Sequence, residues 1–272
     1  MITVPPSTLK LASWNINSVR LRIGLVERFL TEHAPDVLCL QEIKCQNDQF
    51  PAKALAKLGY KHTAVHGQKG YHGVATVSKR PLTDVFSTDY VSMGDTRHLA
   101  CSVETALGPV RIHNFYVPAG GDVADVVTNP KFDHKLKFLD EMKTLTSSDD
   151  GVPAVLVGDL NIAPLETDVW SHKQLLKVVS HTLVETDGLN AVQEAGAWVD
   201  VVREKIDPAE KVFSWWSYRA RDWDAADKGR RLDHIWADQR ISDTVKAVEI
   251  LREARGWEKP SDHVPVIATF AI

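Results

Sequence analysis

Apolar residues in this chain recur with two periods, and the two periods alternate along its length. Runs that alternate or stay apolar over a few residues are typical of strands with one or both faces buried. Such runs occupy residues 9–16, 36–40, 63–65, 73–78, 99–104, 110–117, 155–157, 232–236, 245–251 and 264–270. Helices are predicted at 19–33, 51–58, 131–145, 172–178 and 187–197. No linker or low-complexity tract divides the chain, so we expect one α/β domain spanning residues 1–272.

Composition narrows the class of protein. The chain has 272 residues and 44% hydrophobic content, which is enough for a sizeable core. No apolar stretch approaches the roughly 20 residues that span a bilayer, and residues 1–10 lack the pattern of a signal peptide. We therefore expect a cytoplasmic protein without a membrane partner. Its cysteines lack C-x-x-C spacing and are expected to be reduced core thiols: Cys39, Cys45 and Cys101.

Charge is negative overall but not everywhere. The net charge of −4 and an isoelectric point near 6.3 leave no global positive field to attract nucleic acid. Any polyanion must be held by a local basic patch or by bound divalent cations. Residues 211–231 carry six Lys or Arg against three acids, together with five aromatic residues. This mixture suits phosphate contact and stacking on a sugar or base, although some of the aromatics are expected to be core residues.

The most informative stretch is residues 155–161, Val-Leu-Val-Gly-Asp-Leu-Asn. Three apolar residues predict a buried strand, and the glycine lets the backbone turn. Asp159 and Asn161 follow two residues apart, so in extended chain both side chains point to the same side. This pair suits metal-assisted hydrolysis, because the carboxylate can accept a proton and the amide can stabilise an anion. The alternative is an ordinary Asp-rich turn that closes a strand.

Further polar clusters lie at other strand ends. Each has an ordinary interpretation, such as a solvated glutamate, a packing tyrosine or an Asp-His pair that occurs by chance. Their number and order favour a site over chance. They occupy residues 13–17 (Ser-Trp-Asn-Ile-Asn), 38–42 (Leu-Cys-Leu-Gln-Glu), 114–118 (Asn-Phe-Tyr-Val-Pro), 231–236 (Arg-Leu-Asp-His-Ile-Trp) and 259–265 (Lys-Pro-Ser-Asp-His-Val-Pro).

In this order, the clusters resemble the exonuclease III family of the endonuclease/exonuclease/phosphatase superfamily. The resemblance runs from residue 11 to 270 and includes collinear segments at 50–51, 57–60, 66–70, 73–75 and 213–215. It implies a four-layered α/β sandwich, in which two packed mixed β-sheets are flanked by helices. It also implies a Mg²⁺-dependent 3′-to-5′ exonuclease and apurinic/apyrimidinic endonuclease, with 3′-phosphatase activity, in base excision repair.

The resemblance also implies a metal site. Glu42 matches the main Mg²⁺ ligand of the family, and Mn²⁺ is the alternative ion. Mg²⁺ prefers oxygen ligands and keeps several waters, so a few carboxylates and a carboxamide suffice. The full set of implied metal-site residues is Asn15, Glu42, Asp159, Asn161, Asp262 and His263.

Catalytic roles carry over in the same way. Asp159 matches the residue that activates the attacking water, and Asn161 one that stabilises the transition-state phosphorane. His263 matches the histidine that touches the scissile phosphate, and Asp233 matches the acid that orients it. Tyr116 matches the active-site tyrosine. An Asp–His pair of this kind holds the imidazole in one tautomer and favours its charged form beside phosphate.

DNA contacts are implied at Arg97, Trp215 and Arg230. Trp215 matches an aromatic residue that lines the pocket for a flipped-out abasic sugar. Arg230 departs from the family, which usually has an apolar wall at that position, and this departure argues against tight selectivity for abasic sites. A second departure places His172 and His181 in a region that faces the substrate in the family, and the sequence leaves open whether either enters the pocket.

The partner implied is double-stranded DNA with abasic sites or 3′ ends, bound by a monomer. Two other functions stay open. One is a phosphoesterase of the same superfamily that acts on an inositol phosphate or sphingomyelin. The other is a DNA-binding module without catalysis, which would predict a broken site, whereas every catalytic position is filled.

Overall fold

A computed structural model of the chain describes residues 8–146 and 151–272. The strands, in chain order, are β1 (Leu9–Asn15), β2 (Val37–Gln41), β3 (His62–His66), β4 (Val74–Ser78), β5 (Thr83–Phe86), β6 (His98–Thr105), β7 (Gly108–Tyr116), β8 (Ala154–Asp159), β9 (Trp198–Asp200), β10 (Trp215–Trp216), β11 (Gly229–Arg230), β12 (Asp233–Asp238), β13 (Val245–Ile250) and β14 (Val266–Phe270). The α-helices are α1 (Ile23–His33), α2 (Ala52–Ala56), α3 (Pro130–Met142), α4 (His172–Leu175), α5 (Leu183–Ala195), α6 (Val201–Lys205), α7 (Trp223–Ala226) and α8 (Gln239–Ser242). Short 3₁₀ helices lie at Asn47–Gln49, Tyr90–Ser92, Glu166–Asp168 and Arg252–Gly256. Residues 1–7, expected to form no signal peptide, lie outside the described residues.

Among the described residues the strands form two mixed six-stranded sheets and one short ribbon of β10 and β11. The first sheet has the order β13-β14-β1-β2-β4-β3, with β1 and β2 parallel and the other pairs antiparallel. The second has the order β5-β6-β7-β8-β12-β9, with β7 and β8 as its parallel pair. The sheets pack face to face, with β1 against β8 and β12. Helices cover both outer faces, so the predicted four-layered sandwich is confirmed.

Strand β1 shows how alternating side chains divide the core between layers. Leu9 and Leu11 point toward the second sheet, where they join Val155 of β8. Trp14 points to the outer face and packs on α1, with its ring centroid 5.6 Å from that of Phe29. Burying each such side chain contributes about 1.5–3 kcal/mol. The position of β1 between the two layers therefore fixes where its polar end emerges.

The outer face of the second sheet packs against α3 and α5. Leu156 of β8 and Trp236 of β12 join Phe138 and Leu139 of α3 and Leu189 of α5 in one apolar cluster. Strand β8 is consequently buried on both faces, which explains its continuous apolar run.

Some predicted elements differ from those observed. The helix predicted at 19–33 begins only at Ile23, because the preceding residues follow the loop after β2. Ser18 has a φ of 85°, and its backbone N–H donates to the Glu42 carbonyl at 2.7 Å. Strands β5, β9, β10 and β11 were not predicted, since two to four residues are too few to show a period.

No helix in the described part of the chain is both long and apolar enough to cross a membrane.

A buried ion network joins the elements around the start of β12. Arg231 is 1% exposed, and its Nε and Nη2 donate to the two carboxylate oxygens of Asp168 at 2.7 and 2.9 Å. Its Nη1 donates to Asp200 Oδ2 at 2.7 Å. Arg231 lies two residues before Asp233, so it connects the loop after β8 and the end of β9 to the start of β12.

Replacing Arg231 with Met should therefore be strongly destabilising. The change leaves the largely enclosed Asp200 without its arginine and leaves the buried Asp168 paired with Arg203 alone, and breaking a buried ion pair costs about 3–5 kcal/mol. Urea unfolding followed by circular dichroism measures the loss. As a control, Lys143→Met removes an exposed pair with Asp140 and should change the free energy of unfolding by less than about 1 kcal/mol. Equal effects of the two substitutions would contradict the importance of the network.

Candidate active site

The strand ends predicted to carry chemistry meet at one edge of the sandwich. In the second sheet, Tyr116 at the end of β7 pairs with Asp159 at the end of the parallel strand β8. Asp159 also pairs with Asp233, which opens the antiparallel strand β12. In the first sheet, Asn15 ends β1 and Glu42 directly follows β2, its parallel neighbour. Because parallel strands end at the same edge, the register of both sheets brings these side chains together.

Asn15 connects the two sheets. Its Nδ2 donates to Glu42 Oε1 at 2.9 Å and to Asp159 Oδ2 at 2.8 Å. Glu42 Oε1 also accepts from the Tyr116 hydroxyl at 2.9 Å, and Lys44 Nζ lies 2.7 Å from Glu42 Oε2. Burial raises the pKa of Glu42, but Lys44 and Asn15 outweigh it and the net pKa is lowered. Glu42 is therefore ionised at neutral pH.

The loop after β8 fixes the two polar residues singled out by their spacing. The backbone N–H of Asn161 donates to Asp159 Oδ1 at 2.9 Å. Its side-chain Nδ2 donates to the Val117 carbonyl at 2.9 Å and to Asp159 Oδ2 at 3.2 Å. Gly158 is required just before, because a Cβ there would lie 1.9 Å from the Phe115 carbonyl oxygen. The amide and the carboxylate are thus held by the turn itself.

His263 and Asp233 form a buried pair beside this loop. His263 Nδ1 donates to Asp233 Oδ2 at 2.8 Å, and the Ser214 hydroxyl donates to the same oxygen at 2.6 Å. His263 Nε2 lies 3.6 Å from Asp159 Oδ2. Burial lowers the pKa of His263, but Asp233 and Asp159 outweigh it and the net pKa is raised. Burial raises the pKa of Asp159 and the neighbouring His263 opposes that rise, so the net pKa is raised to about 7.

Asp262 links the site to the aromatic wall. Its Oδ1 accepts from Asn17 Nδ2 and its Oδ2 from Trp215 Nε1, both at 3.0 Å. Lys44 Nζ in turn donates to Asn17 Oδ1 at 2.7 Å. The sequence reasoning had missed Asn17, Lys44 and Ser214 as site residues. The sequence contained a signal for Asn17 and Lys44, because they lie two residues after Asn15 and Glu42, respectively.

A cavity of about 560 Å³ opens above these residues. Trp215 and Arg230 form one wall, with the guanidinium carbon 5.2 Å from the indole ring centroid. Arg230 Nη1 also donates to the Val179 carbonyl at 3.0 Å and to Ser180 Oγ at 2.7 Å. The arginine is therefore held inside the cavity wall. Other lining residues include Glu42, Tyr116, Asn161, Trp170, Arg219, Lys228, Asp262 and His263.

The donor atoms fit a divalent cation that prefers oxygen. One carboxylate oxygen each from Glu42 and Asp159 lies within hydrogen-bonding distance of the same Asn15 Nδ2, so the two carboxylates converge. Within residues 8–146 and 151–272, ligand atoms of Asp159, Asp233 and His263 also lie within 4.8 Å of one another. In Asn15 the NH₂ faces the carboxylates and Oδ1 accepts from a backbone N–H. Its role as a ligand stays a prediction.

Comparison with known proteins identifies the family to which the chain belongs. The sequence profile of the Endonuclease/Exonuclease/phosphatase family matches residues 12–263. The chain belongs to this family. It is 32% identical to exodeoxyribonuclease III of Haemophilus influenzae over 276 aligned positions, covering 96% of this chain and 100% of the relative. The resemblance to the exonuclease III family is therefore confirmed.

Solved structures agree with this assignment to the Endonuclease/Exonuclease/phosphatase family. An AP endonuclease from Archaeoglobus fulgidus superposes with a TM-score of 0.88 at 31% identity, covering 97% of this chain and 100% of that one. The 3′-5′ exonuclease NExo from Neisseria meningitidis also gives 0.88 at 31% identity, covering 96% and 99%. The sandwich is thus shared with an AP endonuclease and with a 3′-5′ exonuclease.

Arg97, expected near the DNA backbone, is largely enclosed in this family member. Its Nε donates to Asp95 Oδ2 at 2.8 Å and its Nη1 to the Tyr116 carbonyl at 3.3 Å. The guanidinium carbon lies 4.9 Å from the Tyr116 ring centroid. The side chain is 9% exposed. These contacts support Tyr116, while the DNA contact stays a prediction.

The two histidines that the sequence left open pair with each other. His172 Nδ1 and His181 Nε2 lie 2.8 Å apart, and His181 Nδ1 lies 2.6 Å from the Ala163 carbonyl oxygen. His181 is buried, and neither histidine lines the cavity. Val179 and Ser180 occupy that stretch of the wall instead.

The charge state of His263 should depend on Asp233. Among the charged neighbours Asp233 raises its pKa most, while burial lowers it, so Asp233→Asn should lower the pKa of His263 markedly. An NMR titration of the ring Cε1 proton measures this shift. Asp133→Asn, a substitution on the exposed side of α3, is the control and should leave the titration unchanged.

The same pair should act as one unit in catalysis. Once the acid is gone the imidazole is free to rotate, so the losses in kcat/KM from His263→Ala and Asp233→Asn should be non-additive. A double-mutant cycle measures the coupling. A double loss equal to the sum of the two single losses in activation free energy would contradict it.

Proposed function

We propose that this protein is a DNA-repair nuclease that uses Mg²⁺ to hydrolyse phosphodiester bonds in duplex DNA, mainly at 3′ ends. One observation carries the proposal. The carboxylate of Asp159, hydrogen-bonded by Asn15 and Asn161, lies 3.6 Å from the imidazole of His263, and both His263 and Asn161 line a cavity walled by Trp215. A base, two anion-stabilising donors and an aromatic wall are what phosphodiester hydrolysis on a nucleic acid needs.

The site residues divide the chemistry between them. Asp159 accepts a proton from the attacking water. The charged imidazole of His263 donates to the phosphate oxygens, where negative charge develops. Asn161 Nδ2 would join it by exchanging its 3.2 Å hydrogen bond to Asp159 for one to phosphate. Tyr116 stays protonated, because burial and the neighbouring Glu42 raise its pKa well above the usual range, and its hydroxyl remains a donor.

Glu42 and Asp159 would hold the cation, on the strength of their converging oxygens. When bound, Mg²⁺ would neutralise charge on the phosphate oxygens and orient the scissile bond. Mg²⁺ fits better than a softer ion because carboxylate and amide oxygens make up most of the donor set. Mn²⁺ takes similar ligands and is the expected substitute.

DNA is supported as the substrate by the cavity wall. Arg219, Lys228 and Arg230 line it, and Trp215 offers a face on which a sugar or base can stack. These cations supply the local patch that a chain of net charge −4 requires. The related proteins carry the names exodeoxyribonuclease III, AP endonuclease and 3′-5′ exonuclease, which favours DNA over a lipid or inositol phosphate. Action as a monomer in the cytoplasm stays a prediction.

Arg230 supports 3′-end trimming over abasic cleavage. An apolar wall packs the face of an extrahelical sugar and excludes water, whereas a guanidinium brings a hydrated charge that forks onto phosphate oxygens. Here the guanidinium is held over Trp215 by Val179 and Ser180, so it remains in the pocket that the sugar would enter.

Activity should require a divalent cation and both carboxylates. Asp159→Asn removes the proton acceptor and should lower kcat by about 10²- to 10⁴-fold, and Glu42→Gln should cause a loss in the same direction. Release of nucleotides from a labelled duplex with a recessed 3′ end measures both, with Mg²⁺ and with excess EDTA. Asp140→Asn, an exposed site on α3, is the matched control. Full turnover by the wild-type protein in EDTA would overturn the metal requirement.

Arg230→Leu should shift the balance of activities. The apolar side chain should raise cleavage at an abasic site relative to 3′ trimming. It should also reduce the dependence of DNA binding on salt by about one counterion. Labelled duplexes with an abasic site, a recessed 3′ end or a 3′-phosphate are compared across a salt series, with Arg28→Leu as the exposed control. An unchanged ratio and an unchanged slope would show that Arg230 plays no part in selectivity.

A further inference from the structure

A fully buried ion pair lies behind the cavity, outside the set of residues assigned to catalysis. Lys135 of α3 and Glu185 of α5 are each 0% exposed, and Lys135 Nζ lies 2.5 Å from Glu185 Oε1. Two charges removed from water cost several kcal/mol each to desolvate, and well-packed apolar residues often stabilise a protein as much or more. The other contacts of the pair show what it holds in place.

Lys135 reaches the loop that carries the active-site amide. Its Nζ donates to the Asn161 carbonyl at 2.8 Å and to the Ala119 carbonyl at 3.4 Å. Asn161 has a φ of 55°, a left-handed conformation that a non-glycine residue adopts only when its surroundings favour it. Gly120 is needed beside the lysine, because a Cβ there would lie 2.9 Å from Lys135 Cδ. Lys135 thus fixes the backbone from which the Asn161 side chain projects.

Glu185 reaches the loop that forms the cavity wall. Both of its carboxylate oxygens accept from the Ser180 N–H at 2.9 Å, and Oε2 accepts from the Thr182 hydroxyl at 2.7 Å. Ser180 has a φ of 86°, again left-handed, and its hydroxyl accepts from Arg230 Nη1 at 2.7 Å. Glu185 therefore connects through Ser180 to the guanidinium over Trp215.

We propose that Lys135 and Glu185 are positioning residues that set, respectively, the rate of the chemical step and the preference for 3′ ends. The inference rests on the proposed nuclease function. Lys135 acts through Asn161, and Glu185 acts through Ser180 on Arg230. A single buried contact thereby couples the transition-state donor to the cavity wall that carries Arg230.

A small displacement of Asn161 would be enough for a pair outside the cavity to affect the rate of the chemical step. A displacement of about 1 Å in a group that stabilises the transition state can cost about 10²-fold in rate, although overall folding is unchanged. We expect the Asn161 carbonyl to shift if it lost its donor, and the side chain that projects from the same backbone would shift with it. Ground-state DNA binding depends instead on the cations of the wall, so KM should change much less than kcat.

Two double variants separate positioning from stability. In Lys135→Met/Glu185→Gln the glutamine oxygen still accepts from Ser180, while the carbonyls of Asn161 and Ala119 lose their donor. We expect kcat for 3′ trimming to fall about 10- to 100-fold with KM little changed. In Lys135→Met/Glu185→Met the Ser180 N–H also loses its acceptor. The ratio of abasic cleavage to 3′ trimming should then move toward that of Arg230→Leu.

Thermal melting and both DNA assays are run on each variant and on a matched control. Lys137→Met/Asp133→Asn removes an exposed pair on the same helix α3 and should leave kcat and the ratio unchanged. A double variant that melts like the wild type with unchanged kcat and ratio would show that the buried pair only supports the fold, and would overturn the inference.

Two milder variants decide the question if the double variants fail to fold. Lys135→Arg keeps the charge but moves the donors away from the Asn161 carbonyl, so a lower kcat supports the inference and an unchanged kcat overturns it. Ser180→Ala removes only the hydroxyl that accepts from Arg230. A higher ratio of abasic cleavage to 3′ trimming supports the inference, and an unchanged ratio overturns it. A wild-type protein inactive on every duplex would overturn the proposed function itself, which is a separate outcome.

Discussion

The hydrogen bonds from one amide, Asn15 Nδ2, determine the arrangement of the whole site. Asn15 ends a strand of the first sheet, and it donates to Glu42 of the same sheet and to Asp159 of the second. This bridge is geometrically sound only if the two sheets pack at one fixed offset. The buried Leu11 and Val155 set that offset by filling the space between the sheets. Packing deep in the core thus determines how far apart two carboxylates lie at its edge.

The electrostatics follow from this burial. Asp159 is almost fully enclosed, so ionising it is costly unless a positive charge lies nearby, and the imidazole of His263 supplies one at 3.6 Å. Asp233 on the far side of the imidazole keeps that charge in place. Lys44 does the same for Glu42. Asp159 and Glu42 thus each lie beside a cation, which reduces the repulsion that a bound polyanion would meet at these carboxylates.

Much of this site could be predicted from local sequence. Spacing of two residues placed Asp159 and Asn161 side by side, and the strand-end clusters marked where the remaining polar groups would emerge. Contacts between distant segments leave no such pattern. Lys135 and Glu185 are fifty positions apart on separate helices, and each resembles an ordinary helical surface residue in sequence. The predicted start of α1 was wrong for a similar reason, because a backbone hydrogen bond to the distant Glu42 holds Ser18 at a φ of 85°, which no local pattern indicates.

Arg230 shows how a charged residue can occupy the cavity wall without disturbing the hydrogen bonds of Asp159. A charge in a wall that usually packs a sugar needs partners, and the guanidinium finds them in Trp215, the Val179 carbonyl and the Ser180 hydroxyl. None of these partners touches Asp159 or its hydrogen bonds. The wall, carried by the loop before α5, and the catalytic strand ends are thus built from different segments, and the buried contact between Lys135 and Glu185 is the link between them. Under the proposed function, a change confined to the wall would alter which DNA end is accepted, whereas a change in the buried pair would alter both selectivity and rate.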